Sequence, residues 1–397
     1  MPGVSVVIPT FDRARLLSRT LESLVLQRAD DPPFEVIVCD DGSSDDTRAV
    51  VDRYAGQLDL RYAWQPDRGH RVAAARNMGI ALALNPVTVM LDCGTLAGPT
   101  FVEQHRLLHQ PFVSGREPVP LAVIGNTRGY RLDLDDSSVG AQAILSSPVD
   151  VALELAASDR RYEDDRAQDA ADILCGDLPW RRFWTTNVSV PTAVLRSVGG
   201  FDAAFEGWGG EDIELGYRLE RHGARLVWSE EAWALELPQP RDHEANRVTN
   251  YRNLRLFLEK HEHVDVELYV GAKELRKPLA EVLDRFRSWQ STAAGADAAW
   301  WPVVRADMAR GVVEFDAVAS PVAPPKLVGD TVTTLPALGI HTPFDDAQFR
   351  LAVVTPRTAA LWDDWGGLLT REARRIGRDV QLPPAATRAG TLQTDPR

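Results

Sequence analysis

The chain has 397 residues, of which 44% are hydrophobic and 25% charged, and its formal net charge is −13. This length and composition predict two or three globular domains. The acidity argues against a general nucleic-acid-binding protein, because phosphate backbones require a basic face. Three cysteines without paired or metal-ligand spacing, Cys39, Cys93 and Cys175, are expected to be reduced thiols. The sequence shows no signal-peptide pattern and no apolar run near the ~20 residues that cross a bilayer. We therefore expect a cytoplasmic protein, and peripheral attachment to a membrane is left open.

Strands and helices alternate in the N-terminal part of the sequence. The predicted strands are VSVVI (4–8), FEVIVCDDGS (34–43), LRYAWQ (60–65) and VTVMLD (87–92), with helical spacing of apolar residues at 13–27 and 70–84 between them. This alternation predicts an α/β fold with a mostly parallel central sheet flanked by helices. In such sheets ligands bind beyond the carboxyl ends of the strands, and that is where the polar residues of this region cluster.

The middle and the end of the chain are less regular. We predict strands at 120–132, 184–191 and 224–229, an acidic helix or lid at 158–177, a helix from Glu211 to Gly223, and a loop at 241–247 followed by a helix to about Lys260. The boundaries we predict are a catalytic domain at 1–264 and a smaller, mainly helical extension of unknown role at 265–397. In that extension, 318–328 resembles a linker or an extended segment, and the tail 382–397 is expected to be disordered.

The first constellation of polar residues comprises Pro9, Thr10, Asp40 and Asp41. A strand that ends in two carboxylates, a glycine turn and hydroxyls suits a base with N–H donors and a ribose. The alternative is an Asx turn that caps the next helix and needs no ligand. No G-x-G-x-x-G follows the first strand, so dinucleotide binding is not favoured.

Two arginines, Arg71 and Arg76, lie near the start of the Ala-rich helix. Guanidinium groups pair with phosphate in two-pronged geometry, and a helix N-terminus adds favourable potential for an anion. The alternative is a solvated basic face.

The third constellation is the stretch GWGGED at 207–212. Glycines before a helix allow close approach of a ligand, Trp208 can lie against a sugar ring, and either Glu211 or Asp212 can take a proton from an acceptor hydroxyl. The alternative is an acidic helix start beside a glycine turn. His243, taken alone, is a surface or packing residue unless it faces Asp92.

Together these motifs resemble a known enzyme family. VSVVIPTFDR, VIVCDDGSSDDT, GHRVAAARNMGI, VMLD and FDAAFEGWGGEDIELGYRLERHG, in this order over roughly residues 3–262, resemble family 2 glycosyltransferases with the GT-A fold. The last motif resembles the C-terminal half of the catalytic domain shared by chondroitin-polymerase-type and polypeptide GalNAc-transferase-type enzymes.

The resemblance implies a role for each matching residue. Thr10, Asp40 and Asp41 would hold the nucleoside, and Arg76 would lie near the pyrophosphate. Asp92 would take the first position of the Asp-x-Asp metal motif, and His243 would complete the metal site. Asp212 would be the general base of an inverting transfer, and Glu211 would position the acceptor.

The chain departs from this family where VMLD continues as Cys93-Gly94, because the second acid of Asp-x-Asp is missing. Three interpretations remain. Asp92, His243, phosphate oxygens and water hold Mn²⁺ or Mg²⁺, which favour oxygen ligands. Alternatively, Arg68, Arg71 or Arg76 neutralises the leaving group without a metal, or catalysis has been lost. A working enzyme is favoured, because Asp212, Asp92 and Arg76 are all present.

The predicted activity is transfer of a hexose or N-acetylhexosamine from a UDP-sugar to an acceptor hydroxyl, with inversion. The acceptor is left open among carbohydrate, lipid-linked, peptide and small-metabolite classes. The alternatives are a catalytically silent nucleotide-sugar-binding protein and a metal-independent transferase. A nucleotidyltransferase is least favoured, because PTFDRARLL replaces its Gly-rich basic loop. The C-terminal region is a candidate for acceptor binding, for homodimer formation or for contact with a membrane surface.

Overall fold

The computed structural model describes residues 1–27, 34–129, 139–159, 162, 177–239, 242–292, 298–323 and 325–383. The chain divides into two compact units, Met1–Asn253 and Leu254–Arg397. Most of the acidic stretch predicted as a helix or lid, Cys175, and nearly all of the predicted disordered tail lie outside the described residues.

The described strands of the first unit form one eight-stranded sheet. They are β1 (Val4–Thr10), β2 (Phe34–Asp40), β3 (Asp59–Trp64), β4 (Val87–Leu91), β5 (Thr95–Ala97), β6 (Leu121–Arg128), β7 (Asn187–Pro191) and β8 (Arg225–Glu236). Their order is β3-β2-β1-β4-β7-β6-β8-β5. The first four run parallel, as does β6 with β8, whereas β7 is antiparallel to both its neighbours and β5 is antiparallel to β8. The predicted α/β class is therefore confirmed.

Helices cover both faces of the parallel half of this sheet. The described helices of this unit are α1 (Ala14–Val25), α2 (Thr47–Tyr54), α3 (Val72–Leu82), α4 (Phe101–Val113), α5 (Val139–Ser146), α6 (Val149–Ser158), α7 (Thr192–Ser197), α8 (Glu211–Arg221) and α9, which begins at His243 and ends at Lys260. Val4, Val6 and Ile8 pack into a core with α1, α2 and α4. Val7 faces α3, where Gly79 leaves no room for a Cβ atom. Burial on both faces explains why β1 reads as a continuous apolar run.

The prediction of a loop at 241–247 is wrong for the part that the structure describes, because α9 starts at His243. Polar and charged residues dominate this segment. It therefore lacks the apolar residues at helical spacing by which a helix is recognised in a sequence.

The second unit combines helices with a second sheet. Its helices include α10 (Val264–Leu275), α11 (Leu279–Gln290) and α12 (Trp362–Ile376). Six described strands form its sheet: β9 (Ala299–Asp307), β10 (Val312–Ser320), β11 (Leu327–Val328), β12 (Val332–Leu335), β13 (Phe349–Val354) and β14 (Gly377–Gln381). The expectation of a mainly helical extension is thereby corrected, because the sequence analysis did not predict this sheet. The start of the predicted linker, from residue 318, belongs to β10.

A buried carboxylate, that of Glu267, holds a backbone segment of the second unit in place. Glu267 accepts hydrogen bonds from the backbone N–H groups of Leu338, Gly339 and Ile340. Burial raises the pKa of Glu267 to about 8. No described helix is both long enough and apolar enough to cross a membrane.

Candidate active site

Both carboxylate oxygens of Asp40, at the end of β2, accept hydrogen bonds from within the protein. One carboxylate oxygen accepts the N–H groups of Gly42 at 3.1 Å and Ser43 at 2.7 Å, and the other accepts the Tyr62 hydroxyl at 2.5 Å. Burial, and then the Asp40 carboxylate, raise the pKa of Tyr62. These contacts match the Asx-turn alternative, so Asp40 shapes the turn that carries Asp41.

Asp41 lies between the first two strand ends and the loop before α3. Its backbone N–H donates to the Thr10 carbonyl at 2.9 Å. Its carboxylate accepts the Gln65 side-chain amide at 2.5 Å and the Arg71 backbone N–H at 2.7 Å, and the Arg71 guanidinium lies 3.5 Å away. Arg71 therefore lies beside Asp41 and is not part of a solvated basic face.

Pro9 and Thr10 complete this group at the end of β1, and both are buried. The Thr10 hydroxyl lies 3.5 Å from the Cys93 sulfur. The structure thus brings Pro9, Thr10, Asp40 and Asp41 together at one edge of the sheet, as the sequence pattern predicted. Arg71, which the pattern did not place there, joins this group through Asp41.

Arg76 occupies the centre of the site and joins two carboxylates from distant parts of the chain. It is 3% exposed. One amino group donates to Asp92 at 2.9 Å and the other to Glu211 at 2.9 Å. Burial lowers the pKa of the guanidinium, but the Asp92 and Glu211 carboxylates outweigh burial and raise it above its ordinary value. We expected this arginine near a pyrophosphate; both of its amino groups are committed to carboxylates.

Glu211 and Asp212 open α8, directly after Gly210, which adopts a left-handed φ of 95°. Glu211 is 5% exposed, and the carboxylate oxygen that does not bind Arg76 is buried without a hydrogen-bond partner. One Asp212 oxygen accepts the Ile213 N–H at 2.7 Å. Loss of solvation, and then the Glu211 charge, raise the pKa of Asp212 to about 8. A partly exposed carboxyl with this basicity suits proton abstraction near neutral pH.

Trp208 is 45% exposed on the loop that precedes α8. The Gly207 N–H donates to the His70 carbonyl at 3.0 Å. The Trp208 N–H donates to the Thr249 hydroxyl at 3.1 Å. The loop is therefore held from two sides while the indole remains accessible. The sequence analysis missed Thr249, because it lies on α9 and belongs to no local motif.

Asp92 is the predicted metal ligand, and it directly follows β4. Its side chain is 33% exposed, and one oxygen is bound by Arg76. His243 is exposed in the first turn of α9. Within the described ranges, no group of three or more His, Cys, Asp or Glu side chains could hold a metal ion. Asp92 therefore fits an ion only if the sugar donor's phosphates and water supply most of its ligands.

The missing second acid has a backbone explanation. Gly94 has a φ of 91°, in the left-handed region that favours glycine. Its N–H donates to the Thr20 hydroxyl at 3.0 Å, and its carbonyl accepts the Leu237 N–H at 2.9 Å. Burial raises the pKa of Cys93 to about 11, so this thiol is an inert core group.

Comparison with known proteins agrees with the motif order. The family model described as glycosyl transferase family 2 matches residues 5–105, and a model described as the N-terminal domain of galactosyltransferase matches residues 168–239. Validoxylamine A glucosyltransferase of Streptomyces hygroscopicus subsp. jinggangensis is 35% identical over 96% of this chain and 97% of its own length. Hyaluronan synthase of Pasteurella multocida is 36% identical over 56% of this chain and 23% of its own length. The crystal structure of S. aureus TarS aligns with 74% of this chain and 46% of its own, at 17% identity and a TM-score of 0.46.

The family models, and the relative that matches along nearly the whole chain, define a glycosyltransferase that uses a nucleotide-sugar donor. The chain belongs to glycosyltransferase family 2, and its first unit has the mixed α/β GT-A fold.

Proposed function

We propose that this enzyme transfers a hexose from a UDP-sugar to an acceptor hydroxyl with inversion, and that Asp212 is the general base. The observation that supports this most strongly is the placement of Asp212. It lies at the start of α8, beside the two ion pairs that Arg76 makes with Glu211 and Asp92, and its pKa is raised to about 8. A carboxylate of raised basicity can accept a hydroxyl proton that an ordinary surface carboxylate would not retain.

In the proposed reaction the acceptor oxygen loses its proton to Asp212 and attacks the anomeric carbon. The bond from that carbon to the diphosphate oxygen breaks on the opposite face, so the anomeric configuration inverts. A bound divalent ion would stabilise the negative charge of the departing diphosphate. Asp92 would hold that ion through the oxygen that Arg76 does not bind, and His243 would be its second protein ligand.

The donor's nucleoside is proposed to bind at Asp41, Thr10 and Arg71. The Asp41 oxygen that accepts the Arg71 backbone N–H can still accept a further hydrogen bond, such as one from the imide N–H of uracil. Pro9, next to Thr10, and Asp40, whose carboxylate holds the turn that carries Asp41, are proposed to support this pocket. Trp208 is proposed to lie against a sugar ring.

For the acceptor, we propose a small polyhydroxylated molecule. The glucosyltransferase named for validoxylamine A matches this chain along nearly its full length, including the second unit, whereas the hyaluronan synthase matches only over 56% of the chain. The second unit is thus shared with an enzyme named for a small acceptor. On this basis glucose is the hexose to test first.

The test is to incubate the purified chain with UDP-glucose, validoxylamine A and Mn²⁺, and to determine the product's anomeric configuration by NMR. A β-linked product from the α-linked donor supports inversion. Asp212→Asn should abolish transfer and retain calorimetric UDP binding, while Asp52→Asn, an exposed carboxylate paired with Arg48, should match wild type. Retained transfer in Asp212→Asn would remove Asp212 as the base. Binding without transfer, over a panel of nucleotide-sugars, acceptors and metals, would favour the silent binding protein, and equal rates in a chelator would favour the metal-independent enzyme.

A further inference from the structure

Asn253 is a buried polar residue on α9 that no sequence motif marks. Its side chain is 0% exposed. The side-chain amide donates to the Glu206 carbonyl at 3.0 Å and to the Gly209 carbonyl at 2.7 Å. Both ends of the loop that displays Trp208 are therefore tied to one amide group.

The orientation of this amide is fixed by its neighbours. Both contacted atoms are carbonyl oxygens, so the amide must direct its N–H groups toward them. The Asn253 carbonyl oxygen then points into the protein, where it is buried without a hydrogen-bond partner. An unpaired buried acceptor destabilises the fold, and this cost offsets part of what the two hydrogen bonds of Asn253 contribute to stability. The asparagine is consequently better explained by the loop that it holds in place than by a contribution to the free energy of unfolding.

The loop that Asn253 holds leads directly into the catalytic helix. Gly209 and Gly210 both have left-handed φ angles, and a Cβ atom at Gly210 would lie 3.1 Å from the Asn253 Cβ. Since Glu211 and Asp212 follow at once, a shift of the Gly209 carbonyl moves the start of α8. Thr249, one turn earlier on α9, binds the Trp208 N–H and reinforces the same loop.

We propose that Asn253 is a positioning residue for the acceptor half of the reaction. It sets the loop Glu206–Gly210, and through this loop it aligns Trp208 and Asp212 with the acceptor hydroxyl. The assignment rests on the proposed function of Asp212 as base. The hydrogen bonds of the Asn253 side chain go to this loop and not to Asp41, Arg71 or Asp92, so UDP binding should not depend on it.

The experiment compares Asn253→Leu and Asn253→Asp with wild type. Leucine removes the N–H donors and also the unpaired oxygen, whereas aspartate keeps the shape but turns a carboxylate toward two carbonyl oxygens. Both should lower kcat/KM for the acceptor by about ten- to a hundredfold, because a displaced loop leaves Trp208 and Asp212 out of line with the acceptor hydroxyl. UDP binding by calorimetry should stay within about twofold of wild type, because the residues proposed to hold UDP do not contact Asn253. Asn246→Leu, on the same helix but outside the loop contacts, is the matched control and should change none of these values.

Each outcome decides the assignment. Selective loss of acceptor kinetics in both variants, with unchanged UDP binding and melting temperatures close to wild type, supports positioning. Unchanged acceptor kinetics in Asn253→Leu, in a wild type that transfers sugar, would overturn the assignment alone. Equal losses in UDP binding and acceptor kinetics, or failure of both variants to fold, would show a structural role and would also overturn it. A wild type that binds UDP but transfers nothing would overturn the proposed function first, and this assignment with it.

Discussion

Replacing Arg76 with methionine tests whether this residue holds the site together or binds the donor's phosphates. Arg76 is almost completely buried, and each amino group lies 2.9 Å from a carboxylate. Methionine fills most of the volume but removes the guanidinium that pairs with Glu211, which is itself 5% exposed. Removing one partner of a buried ion pair costs about 3–5 kcal/mol. The Asp92 side chain is a third exposed, so water partly replaces the ion pair that Asp92 loses. The loss of this second pair therefore adds less to the fall in the free energy of unfolding.

We therefore expect the free energy of unfolding of Arg76→Met, measured by urea denaturation, to fall by about 3–5 kcal/mol. The double variant Arg76→Met/Glu211→Gln replaces the stranded carboxylate with a neutral amide. It should recover roughly half of that loss, because a neutral amide is far less costly to bury than an unpaired charge. Arg76→Lys, which keeps one charge but cannot reach both carboxylates with two parallel amino groups, should fall between wild type and methionine.

Two results would refute this reasoning. One is a double variant no more stable than Arg76→Met, which would show that an uncompensated Glu211 charge is not the source of the loss. The other is an Arg76→Met protein that unfolds like wild type, within about 0.5 kcal/mol, yet no longer binds UDP. That result would make Arg76 a phosphate ligand, as the sequence resemblance first implied.

Three further predictions follow from groups around the site. Because Asp212 must be deprotonated to act as base and its pKa is raised to about 8, the transfer rate should fall about tenfold per pH unit below pH 8; a flat profile from pH 6 to 9 would contradict this. Gly94→Asp should lower the free energy of unfolding by about 1–2 kcal/mol, because the left-handed φ of 91° opposes a side chain, and it should leave Mn²⁺ affinity unchanged. Gly94→Asn, which tolerates this φ better, is the control. Tighter Mn²⁺ binding by the aspartate variant would refute the backbone argument. Burial lowers the pKa of His105 to about 4 and of His109 to about 3, so both are neutral in the fold and charge more readily when unfolded. Stability should accordingly be lost as the pH falls from about 6.5 to about 4, by about 1.4 kcal/mol per pH unit for each histidine, and urea titrations of His105→Asn/His109→Gln should lack that slope.

The parallel half of the first sheet and its polar strand ends were predictable from the sequence. The length of the apolar runs bounded by Pro9, Asp40 and Asp92 favours buried strands, and parallel strands bring their carboxyl ends to one edge. The proximity of Asp41 to Thr10 follows from that rule alone. The glycine-rich start of α8 was predictable for a similar local reason, because glycines followed by two acids mark a helix N-terminus.

The ion pairs at the centre of the site were not predictable in this way. Arg76 and Glu211 are separated by 135 residues, and no local period encodes their contact. Two separate elements, α3 and α8, must first pack before the guanidinium can reach both carboxylates. The resemblance supplied the individual residues but assigned Arg76 to phosphate, since sequence alone does not show that its amino groups are already used.

The second sheet was missed for a compositional reason. β10 ends at Ser320, immediately before a segment rich in proline, and proline read as the mark of a linker. Its strand pattern is also weak, because Glu314 and Asp316 interrupt the apolar residues on one face. Asp316 is buried there by contacts with Arg305, Arg357 and Thr355, which only the folded sheet brings together.

Gly94 and the buried ion pairs bear together on whether the altered Asp-x-Asp motif marks a decayed enzyme. The turn after Asp92 favours glycine, because the N–H and carbonyl of Gly94 are both hydrogen-bonded and its φ lies in the left-handed region. The glycine that replaces the second acid therefore belongs to an ordered local structure. The chain Glu211–Arg76–Asp92 is a costly feature, because buried ion pairs are often less stabilising than apolar residues of similar volume. A protein that had lost its activity could replace these residues at a gain in stability. Their retention, with the Asp92 side chain a third exposed and Asp212 beside them, is expected of a site that still performs transfer. Such a site would take fewer metal ligands from the protein and more from its substrate.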